Sequence, residues 1–322
     1  MANTVDIYAH RGLRPLLPEN TLPAYAASLK IGVDALDMDV NMTKDGVLVV
    51  THDLTLNPDL TQDSEGRWIK TAIPIKDLTL SKLKSYTVGK LKPGSKLDKM
   101  YSHHQDMENI HIPTLVEVID YVKKTIGNRV RLQIEIKTDP YSPDKSHSAK
   151  AMADALYQVL RKTAMINNVE VQSFEWQALI DLQNLDSRIK TAYLTDHTTE
   201  PMSKEADENP DAINKWTYPL KPADFDYNYP QMVHHLGGTL WEPFELDLTK
   251  KDLDEAHRLG LKVVTWSWSE VEGVDFNYPV IEKLIDWRVD GIITDRPDIL
   301  RGVEAAKGLD LPPAYPNTPA AF

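Results

Sequence analysis

The sequence predicts an α/β fold in which strands and helices alternate around a barrel. Segments of alternating apolar and polar residues are followed by segments with helical spacing of apolar residues, and this order repeats along most of the chain. A length of 322 residues suits one large α/β barrel with insertions. The hydrophobic fraction of 42% and the charged fraction of 26% are typical of a globular chain with a substantial core. We therefore expect a single barrel domain over residues 1–322.

Composition also excludes several classes of protein. The net charge is −12 and no run of Lys or Arg forms a basic stripe, which argues against nucleic-acid binding and against a polybasic membrane anchor. No segment approaches the roughly eighteen apolar residues of a membrane span. The first residues enter a strand almost at once, so we expect no signal peptide in this chain. Because the chain has no cysteine, thiol catalysis, disulfides and Cys-ligated metals are excluded.

A first strand is predicted over residues 5–9 and ends at His10-Arg11-Gly12. A histidine and an arginine at a strand end, before a glycine that permits a sharp turn, could form a corner for proton transfer and anion binding. The alternative is a structural role, which is more usual for a lone His-Arg pair. Pro18-Glu19-Asn20-Thr21 then introduces a helix with Pro23 in its first turn, and Gly32 should end it.

The stretch from Ala35 to Asp53 predicts a second strand followed by a hairpin. Asp37 and Asp39 are two residues apart, so in a strand their carboxylates project to the same side. A two-residue turn at Asp45-Gly46 would set Asp39 opposite His52 on the returning strand. Two carboxylates and an imidazole suit a hard divalent cation and a proton transfer. An ordinary surface hairpin with solvated acids is the alternative.

Two long segments interrupt the alternation, at residues 54–112 and 196–238. A long irregular segment in a compact domain is usually functional, so we expect both to cover one rim of the barrel. His103 and His104 lie in the first segment, where a solvated pair is expected rather than a metal site. The aromatic residues of the second segment could shape a pocket or simply pack the loop.

The remaining elements follow in regular order. Thr114 and Glu117 predict a capping box at a helix start. In the strand over residues 130–137, Glu135 and Lys137 belong to the polar set, which faces the inner rim of a parallel barrel. A Glu-Lys salt bridge is the alternative. Further helices are predicted at 148–163, 176–185, 250–259 and 279–287, and further strands at 169–172, 189–194, 239–241, 261–268 and 289–294.

Taken together, the motifs of this chain resemble those of the glycerophosphodiester phosphodiesterase family. The motifs that carry the resemblance are His10-Arg11-Gly12, Pro18-Glu19-Asn20-Thr21, Asp37-x-Asp39, Thr43-Lys44-Asp45-Gly46, His52-Asp53, Glu135-x-Lys137, Gln172-Ser173-Phe174, Trp266 and Asp290-Gly291-Ile292-Ile293-Thr294-Asp295. The resemblance implies a TIM (β/α)8 barrel with a long insertion after the second strand. It also implies hydrolysis of a small glycerophosphodiester substrate to glycerol 3-phosphate and an alcohol, with one divalent cation, Ca2+ or Mg2+.

The resemblance further implies a role for each motif residue. Two histidines would act as acid and base, three carboxylates would hold the metal, and five residues would bind substrate. The acid and base would be His10 and His52, and the metal ligands would be Asp37, Asp39 and Glu135. The substrate-binding residues would be Arg11, Lys137, Gln172, Phe174 and Trp266. Glu19 would orient His10 or Arg11, or else favour the helix N-terminus through its dipole. The family usually has Glu at the position of Asp37, one methylene longer, so we expect a changed metal affinity.

Three other functions fit parts of the pattern. A lipid phosphodiesterase resembling sphingomyelinase D would share the histidines and carboxylates. A glycoside hydrolase could use Asp37 or Glu135, but would leave His10 and Lys137 without roles. A non-catalytic phosphodiester-binding barrel is the third alternative. The insertion, the motif HDLTLNPDLT and the lack of cysteine resemble exported bacterial members, so we expect a periplasmic or exported protein, with the cytoplasm as the alternative.

Overall fold

The structure is a computed structural model, and it describes residues 4–196, 214–267 and 275–320. The strands in these ranges are β1 (Asp6–Ala9), β2 (Ala35–Met42), β3 (Leu48–Val50), β4 (Thr55–Leu56), β5 (Ile73–Pro74), β6 (Arg131–Ile136), β7 (Val169–Ser173), β8 (Lys190–Thr195), β9 (Leu240–Pro243), β10 (Lys262–Trp266) and β11 (Gly291–Thr294). The α-helices are Leu22–Ile31, Leu80–Leu83, Lys96–Met100, Leu115–Ile126, Ala149–Lys162, Trp176–Leu185, Tyr229–His235, Lys250–Arg258, Tyr278–Trp287 and Pro297–Ala306.

Eight of these strands form a closed parallel barrel. Their order is β1, β11, β10, β9, β8, β7, β6 and β2, and β1 pairs with both β11 and β2, which closes the sheet. Helices follow the strands and cover the outside of the barrel. This arrangement confirms the predicted TIM barrel.

Alternation along the strands produces two separate apolar clusters. Ile7, Leu36 and Ile134 belong to a large cluster shared with the helices, so these side chains face outward. Tyr8 and Val264 belong to a smaller cluster that fills the barrel interior. The polar residues that alternate with the outward set therefore point to the barrel axis, where a site can form at the carboxyl ends of the strands.

The hairpin after β2 differs from its prediction by one residue. The register pairs Met42 with Leu48, and Thr51 N donates to Asp39 O, so Asp39 lies opposite Thr51 and the predicted pairing with His52 is wrong. The reason is a three-residue loop, in which Gly46 adopts φ 78°. Three-residue loops of this kind place glycine in the left-handed region and shift the register of the returning strand.

The segment from residue 54 to 112 contains little regular structure but has its own apolar cluster. β4 and β5 pair in it, and Leu56, Ile75 and Ile112 pack together beneath it. Its sequence favours at most short helices, such as one over residues 80–86, and the helix formed there is limited to one turn, Leu80–Leu83, capped by the Thr79 hydroxyl. This segment also contacts the loop after β1, because Gln105 N donates to Leu16 O at 2.9 Å.

Outside the first long segment, which contains Leu80–Leu83 and Lys96–Met100, two helices are absent from the sequence prediction. Tyr229–His235 lies in the second long segment, of which residues 197–213 fall outside the described ranges, and Pro297–Ala306 follows β11. β10 ends at Trp266, and residue 268 of the strand predicted there also lies outside the described ranges. Within the described residues, none of the helices has both the length and the apolar character needed to traverse a membrane.

Candidate active site

A cavity of about 200 Å³ opens at the carboxyl ends of the barrel strands. It brings together the sequence-predicted residues His10, Arg11, Asp37, His52, Glu135, Lys137, Gln172, Phe174 and Trp266. Of the remaining two predicted residues, Asp39 is buried beside the cavity at 1% exposure, and Glu19 lines a smaller neighbouring cavity. Leu194 and Asp196 also line the cavity, although no motif or spacing in the sequence predicts them there. Trp216 lines it too, so this aromatic residue of the second long segment takes part in the pocket, which was one of the two roles considered from the sequence.

His10 is oriented by a buried carboxylate. Its Nδ1 lies 2.6 Å from Asp295 Oδ1, at the end of β11, and its Nε2 accepts a hydrogen bond from Arg11 Nε at 3.2 Å. These partners assign the proton to Nδ1, and they make Nε2, whose lone pair accepts from Arg11 in this structure, the basic nitrogen of the ring. Burial lowers the pKa of His10, although Asp295 opposes this effect, so the ring is neutral near pH 7.

His52 has a similar arrangement. Its Nδ1 lies 2.8 Å from Asp53 Oδ1, and Asn57 donates to the other oxygen of Asp53 at 2.9 Å. Burial lowers the pKa of His52 to about 4, with further lowering by the nearby cations Arg11 and Lys137. His52 is therefore also neutral at pH 7, and both histidines present a ring nitrogen to one cavity.

Three carboxylates lie at the ends of the neighbouring strands β2 and β6. Asp39 is in register with Glu135, and Asp37 precedes Asp39 by two residues on the same face. Burial and the negative charges of Asp39 and Glu135 raise the pKa of Asp37 well above its usual range. Burial also raises the pKa of Glu135 to about 7, against the effect of Lys137. The three carboxylates therefore repel one another in a buried site.

Cations and amides surround these carboxylates. Lys137 Nζ is 2.6 Å from Glu135 Oε1 and 3.9 Å from Asp39 Oδ1, so the salt bridge considered from the sequence is present. Gln172 Nε2 donates to Asp37 Oδ1 at 2.5 Å. Asp39 Oδ1 is buried and accepts no hydrogen bond from any described residue. Within the described ranges, no three His, Asp or Glu side chains are already arranged so that they could coordinate one metal ion together.

Aromatic residues form one wall of the cavity. The Phe174 and Trp266 rings meet edge to face, with centroids 5.5 Å apart, and Lys137 Nζ lies 6.0 Å from the Phe174 centroid. Trp266 Nε1 donates to Glu242 O at 3.0 Å, which fixes the indole at the end of β10. This wall gives a substrate an apolar surface opposite the charged residues.

Glu19 contacts two arginines. Its Oε1 lies 3.0 Å from Arg11 Nη1, and its Oε2 lies 2.7 Å from Arg14 Nε. Of the roles considered for Glu19 from the sequence, the orientation of Arg11 is supported by this direct ion pair. Glu19 does not cap the helix that begins at Leu22, since Thr21 occupies the cap position.

Several supporting residues lie next to the motifs but were not predicted to support the site. Asn20 Nδ2 donates to Asp39 Oδ2 at 2.8 Å, and Tyr25 donates to Asn20 Oδ1. Asp53 and Asp295 hold the two histidines, although the sequence identifies them only as members of motifs. For Asn20, Asp53 and Asp295 the available signal is membership of a motif, which does not specify the contacts of the side chain.

Comparisons with known proteins agree with this site. Residues 10–299 match the model of the Glycerophosphoryl diester phosphodiesterase family. A glycerophosphodiester phosphodiesterase of Caldanaerobacter subterraneus subsp. tengcongensis is 26% identical over 91% of this chain and 95% of its own, and one of Bacillus subtilis is 26% identical over 92% and 85%.

Solved structures also resemble this chain. A Silicibacter pomeroyi protein superposes with a TM-score of 0.80 and 29% identity, over 96% of this chain and 95% of its own. An Oleispira antarctica phosphodiesterase, solved with the product sn-glycerol-3-phosphate, has a TM-score of 0.65 and 19% identity, over 93% and 96%, which shows the shared fold.

A barrel with paired histidines, cations and carboxylates at its carboxyl rim defines an enzyme of the phosphoric diester hydrolase class. The family match extends over nearly the whole chain, from residue 10 to residue 299, and includes all of these residues. The chain belongs to the glycerophosphoryl diester phosphodiesterase family.

Proposed function

We propose that this cavity hydrolyses glycerophosphodiesters to glycerol 3-phosphate and an alcohol, with one divalent cation and with His10 and His52 as acid and base. The observation that carries the proposal is the pair of neutral histidines in one cavity, each with its Nδ1 held by a carboxylate. The product found in the Oleispira antarctica relative supports the same substrate class.

The carboxylates present fit a hard divalent cation. Asp37, Asp39 and Glu135 are all buried, with exposures of 2%, 1% and 8%, and their charges raise the pKa of Asp37. Asp39 Oδ1 also lacks a hydrogen-bond donor among the described residues. Oxygen ligands of this kind suit Ca2+ or Mg2+, which would stabilise the negative charge that develops on phosphoryl oxygens. In this structure Gln172 donates to Asp37 and Lys137 donates to Glu135. To bind the cation, these two carboxylates would have to exchange those contacts for it.

Arg11 and Lys137 supply the fixed positive charge of the site. Both line the cavity, and Arg11 is only 3% exposed. A phosphodiester carries a negative charge that repels a nucleophile, so cations beside its oxygens lower the barrier to attack. Phe174 and Trp266 would contact the carbon atoms of the substrate on the opposite wall.

The two imidazoles move the protons. The attacking oxygen passes its proton to Nε2 of one histidine as its bond to phosphorus forms. Attack by water gives glycerol 3-phosphate directly, whereas attack by the glycerol 2-hydroxyl gives a cyclic phosphodiester, which water opens to glycerol 3-phosphate in a second step. The bond from phosphorus to the alcohol oxygen breaks, and that oxygen takes a proton from the second histidine, which must first have bound one from solvent because both rings are neutral in the free protein. Asp53 and Asp295 keep each ring oriented and stabilise its protonated form, as carboxylate partners of histidines do elsewhere.

The decisive experiment measures glycerol 3-phosphate released from glycerophosphocholine and glycerophosphoethanolamine. We expect release to stop in EDTA and to return with Ca2+, Mg2+ or Mn2+. His10→Ala and His52→Ala should each lower kcat by at least about a hundredfold, since positioned acid or base groups contribute that much.

A matched control is His103→Ala, because His103 is exposed and does not line the cavity. This variant should keep wild-type kcat and wild-type metal dependence. Metal-independent turnover, or near wild-type kcat in either catalytic variant, would contradict the proposed mechanism while circular dichroism confirms that the protein is folded.

A further inference from the structure

The corner after β1 contains a closed ring of interacting side chains. Glu19 bridges Arg11 and Arg14, at 3.0 and 2.7 Å. Arg14 Nη1 lies 3.6 Å from Asp295 Oδ2, while Asp295 Oδ1 lies 2.6 Å from His10 Nδ1. The ring closes where Arg11 Nε donates to His10 Nε2 at 3.2 Å. Two carboxylates and two guanidiniums thus alternate around the imidazole.

Arg14 differs from the other cation of the ring. Arg11 lines the active cavity, whereas Arg14 lines the smaller neighbouring cavity of about 40 Å³. The side chain of Arg14 is only 13% exposed, so its charge is poorly screened by solvent. Its contacts with two carboxylates connect it to two functional residues, to Arg11 through Glu19 and to His10 through Asp295.

We propose that Arg14 is a positioning residue for the reaction, which holds the Arg11 guanidinium through Glu19 and the His10 imidazole through Asp295. This inference rests on the proposed function, since that function gives His10 and Arg11 their roles. Without Arg14, the Glu19 carboxylate would lose the closer of its two arginines, and Asp295 would lose the cation that lies 3.6 Å from its second oxygen.

The inserted segment contributes to the same corner. Arg14 Cζ lies 5.5 Å from the ring centroid of Tyr101, which belongs to residues 54–112 and is 4% exposed. Cation and ring at this distance attract each other. The insertion therefore restricts the orientation of Arg14 and, through it, the geometry of the catalytic corner.

The test compares Arg14→Gln and Arg14→Lys with the wild type in the glycerophosphocholine assay. We expect Arg14→Gln to lower kcat by roughly ten- to a hundredfold, as is common when a supporting partner is removed. KM should change by less than about threefold, because Arg14 does not line the active cavity. Lysine keeps the charge but not the planar fork, so Arg14→Lys should recover only part of kcat.

A second readout does not depend on turnover. The charged groups facing His10 are Asp295, Arg11 and Arg14, and Arg14 lowers the pKa of His10 while Asp295 raises it. NMR titration of the His10 ring in metal-free protein should therefore give a higher pKa in Arg14→Gln than in the wild type. A purely structural role for Arg14 would not produce this shift.

Arg131→Gln is the matched control. Arg131 also contacts two carboxylates, Asp6 at 2.6 Å and Glu170 at 3.4 Å, and also lies 5.5 Å from a tyrosine ring, that of Tyr8. Arg131 begins β6 and so lies at the amino ends of the barrel strands, whereas the active cavity lies at their carboxyl ends. Arg131→Gln should therefore keep the wild-type kcat and the wild-type pKa of His10.

Two outcomes would overturn the assignment of Arg14. One is an unchanged kcat and His10 pKa in Arg14→Gln, and the other is an equal change of both quantities in Arg131→Gln. A wild-type protein that releases no glycerol 3-phosphate would instead overturn the proposed function, and the His10 titration would still decide whether Arg14 acts on that ring.

Discussion

Asn20 combines an unusual backbone conformation with three contacts that support the site. Its φ is 57°, in the left-handed region that asparagine tolerates better than most residues. Its side chain donates to Asp39 Oδ2 at 2.8 Å and accepts hydrogen bonds from Tyr25 and from Asp39 N. One residue thus fixes the helix start and the Asp39 carboxylate together.

We expect Asn20→Ala to lower the free energy of unfolding by about 2–4 kcal/mol. Alanine is strained in the left-handed backbone conformation, and Tyr25 and Asp39 are left with buried unpaired polar groups. Urea denaturation would measure the loss. Asn109→Ala is the control, because Asn109 has φ 59° but is exposed, so only about 1 kcal/mol should be lost there. Equal losses in the two variants would show that the side-chain contacts of Asn20 contribute nothing.

Residue identity predicted which groups meet in the cavity better than it predicted how they are held. His10 and Lys137 could be selected because each follows a strand of the parallel barrel, whose carboxyl end forms the rim. His52 could be selected because the hairpin returns it towards the carboxylates of β2. Arg14 and Asn20 carried no such periodic signal. Their contacts depend on the path of the loop after β1, which the sequence does not specify by spacing.

At the scale of single elements, caps and alternation predicted most boundaries closely. The capping box at Thr114 and Glu117 is present, and the helix Trp176–Leu185 has the predicted ends. The hairpin register was wrong because Thr43 forms part of the turn, its hydroxyl accepting from Val47 N and donating to Asp45. Such side-chain contacts add a residue to the loop and shift the strand pairing.

Gly12 determines how the first helix packs against the catalytic corner. Gly12 has φ 86°, and a Cβ at this position would lie 2.6 Å from Ala24 Cβ. Two carbon atoms that are not bonded to each other do not approach so closely. Ala24 belongs to the helix Leu22–Ile31 and is fully buried. The helix or the corner would have to move to accept any side chain here.

We therefore expect Gly12→Ala to cost about 3 kcal/mol or more, from backbone strain and from displacement of Ala24 together. It should also lower kcat in the glycerophosphocholine assay, because the displaced corner carries His10 and Arg11. Thermal unfolding and steady-state kinetics measure the two effects.

Gly127→Ala provides the matched control for Gly12. Gly127 has φ 67° and ψ −137°, and a Cβ added there would meet no atom within 4 Å, so only the backbone strain of about 1–3 kcal/mol applies. Its kcat should equal that of the wild type. A Gly12 variant that loses no more stability than the Gly127 variant would show that the close approach to Ala24 has no energetic consequence.

For the whole molecule, closure of the barrel is what converts separate motifs into one site. β1 and β11 are adjacent only because the sheet closes, and this places Asp295 beside His10 although 285 residues separate them. Strand and helix order predicted the closed barrel, since each strand is followed by a crossover of suitable length. The two long segments could be located but their internal structure could not be predicted, because they lack periodicity.

The end of the barrel opposite the cavity contains a buried carboxyl group without a hydrogen bond. Glu304, on the helix Pro297–Ala306, is 0% exposed, and neither of its oxygens has a hydrogen-bond partner among the described residues. Burial raises the pKa of Glu304 to about 8, and Asp34 and Asp6 raise it further while Arg301 lowers it. The folded protein therefore favours the protonated form of this group.

This proton makes stability depend on pH. Between the usual pKa of 4.5 and about 8, the folded chain holds a proton on Glu304 that the unfolded chain releases, so the free energy of unfolding falls as pH rises through that window. Glu304→Gln removes this dependence, and its stability relative to the wild type should increase by about 2–4 kcal/mol from about pH 5 to about pH 9. Urea denaturation at both values measures the difference. Glu108→Gln, at a side chain that is 75% exposed, should show no such trend; a pH-independent difference for Glu304→Gln would mean that the Glu304 carboxyl is ionised in the folded protein.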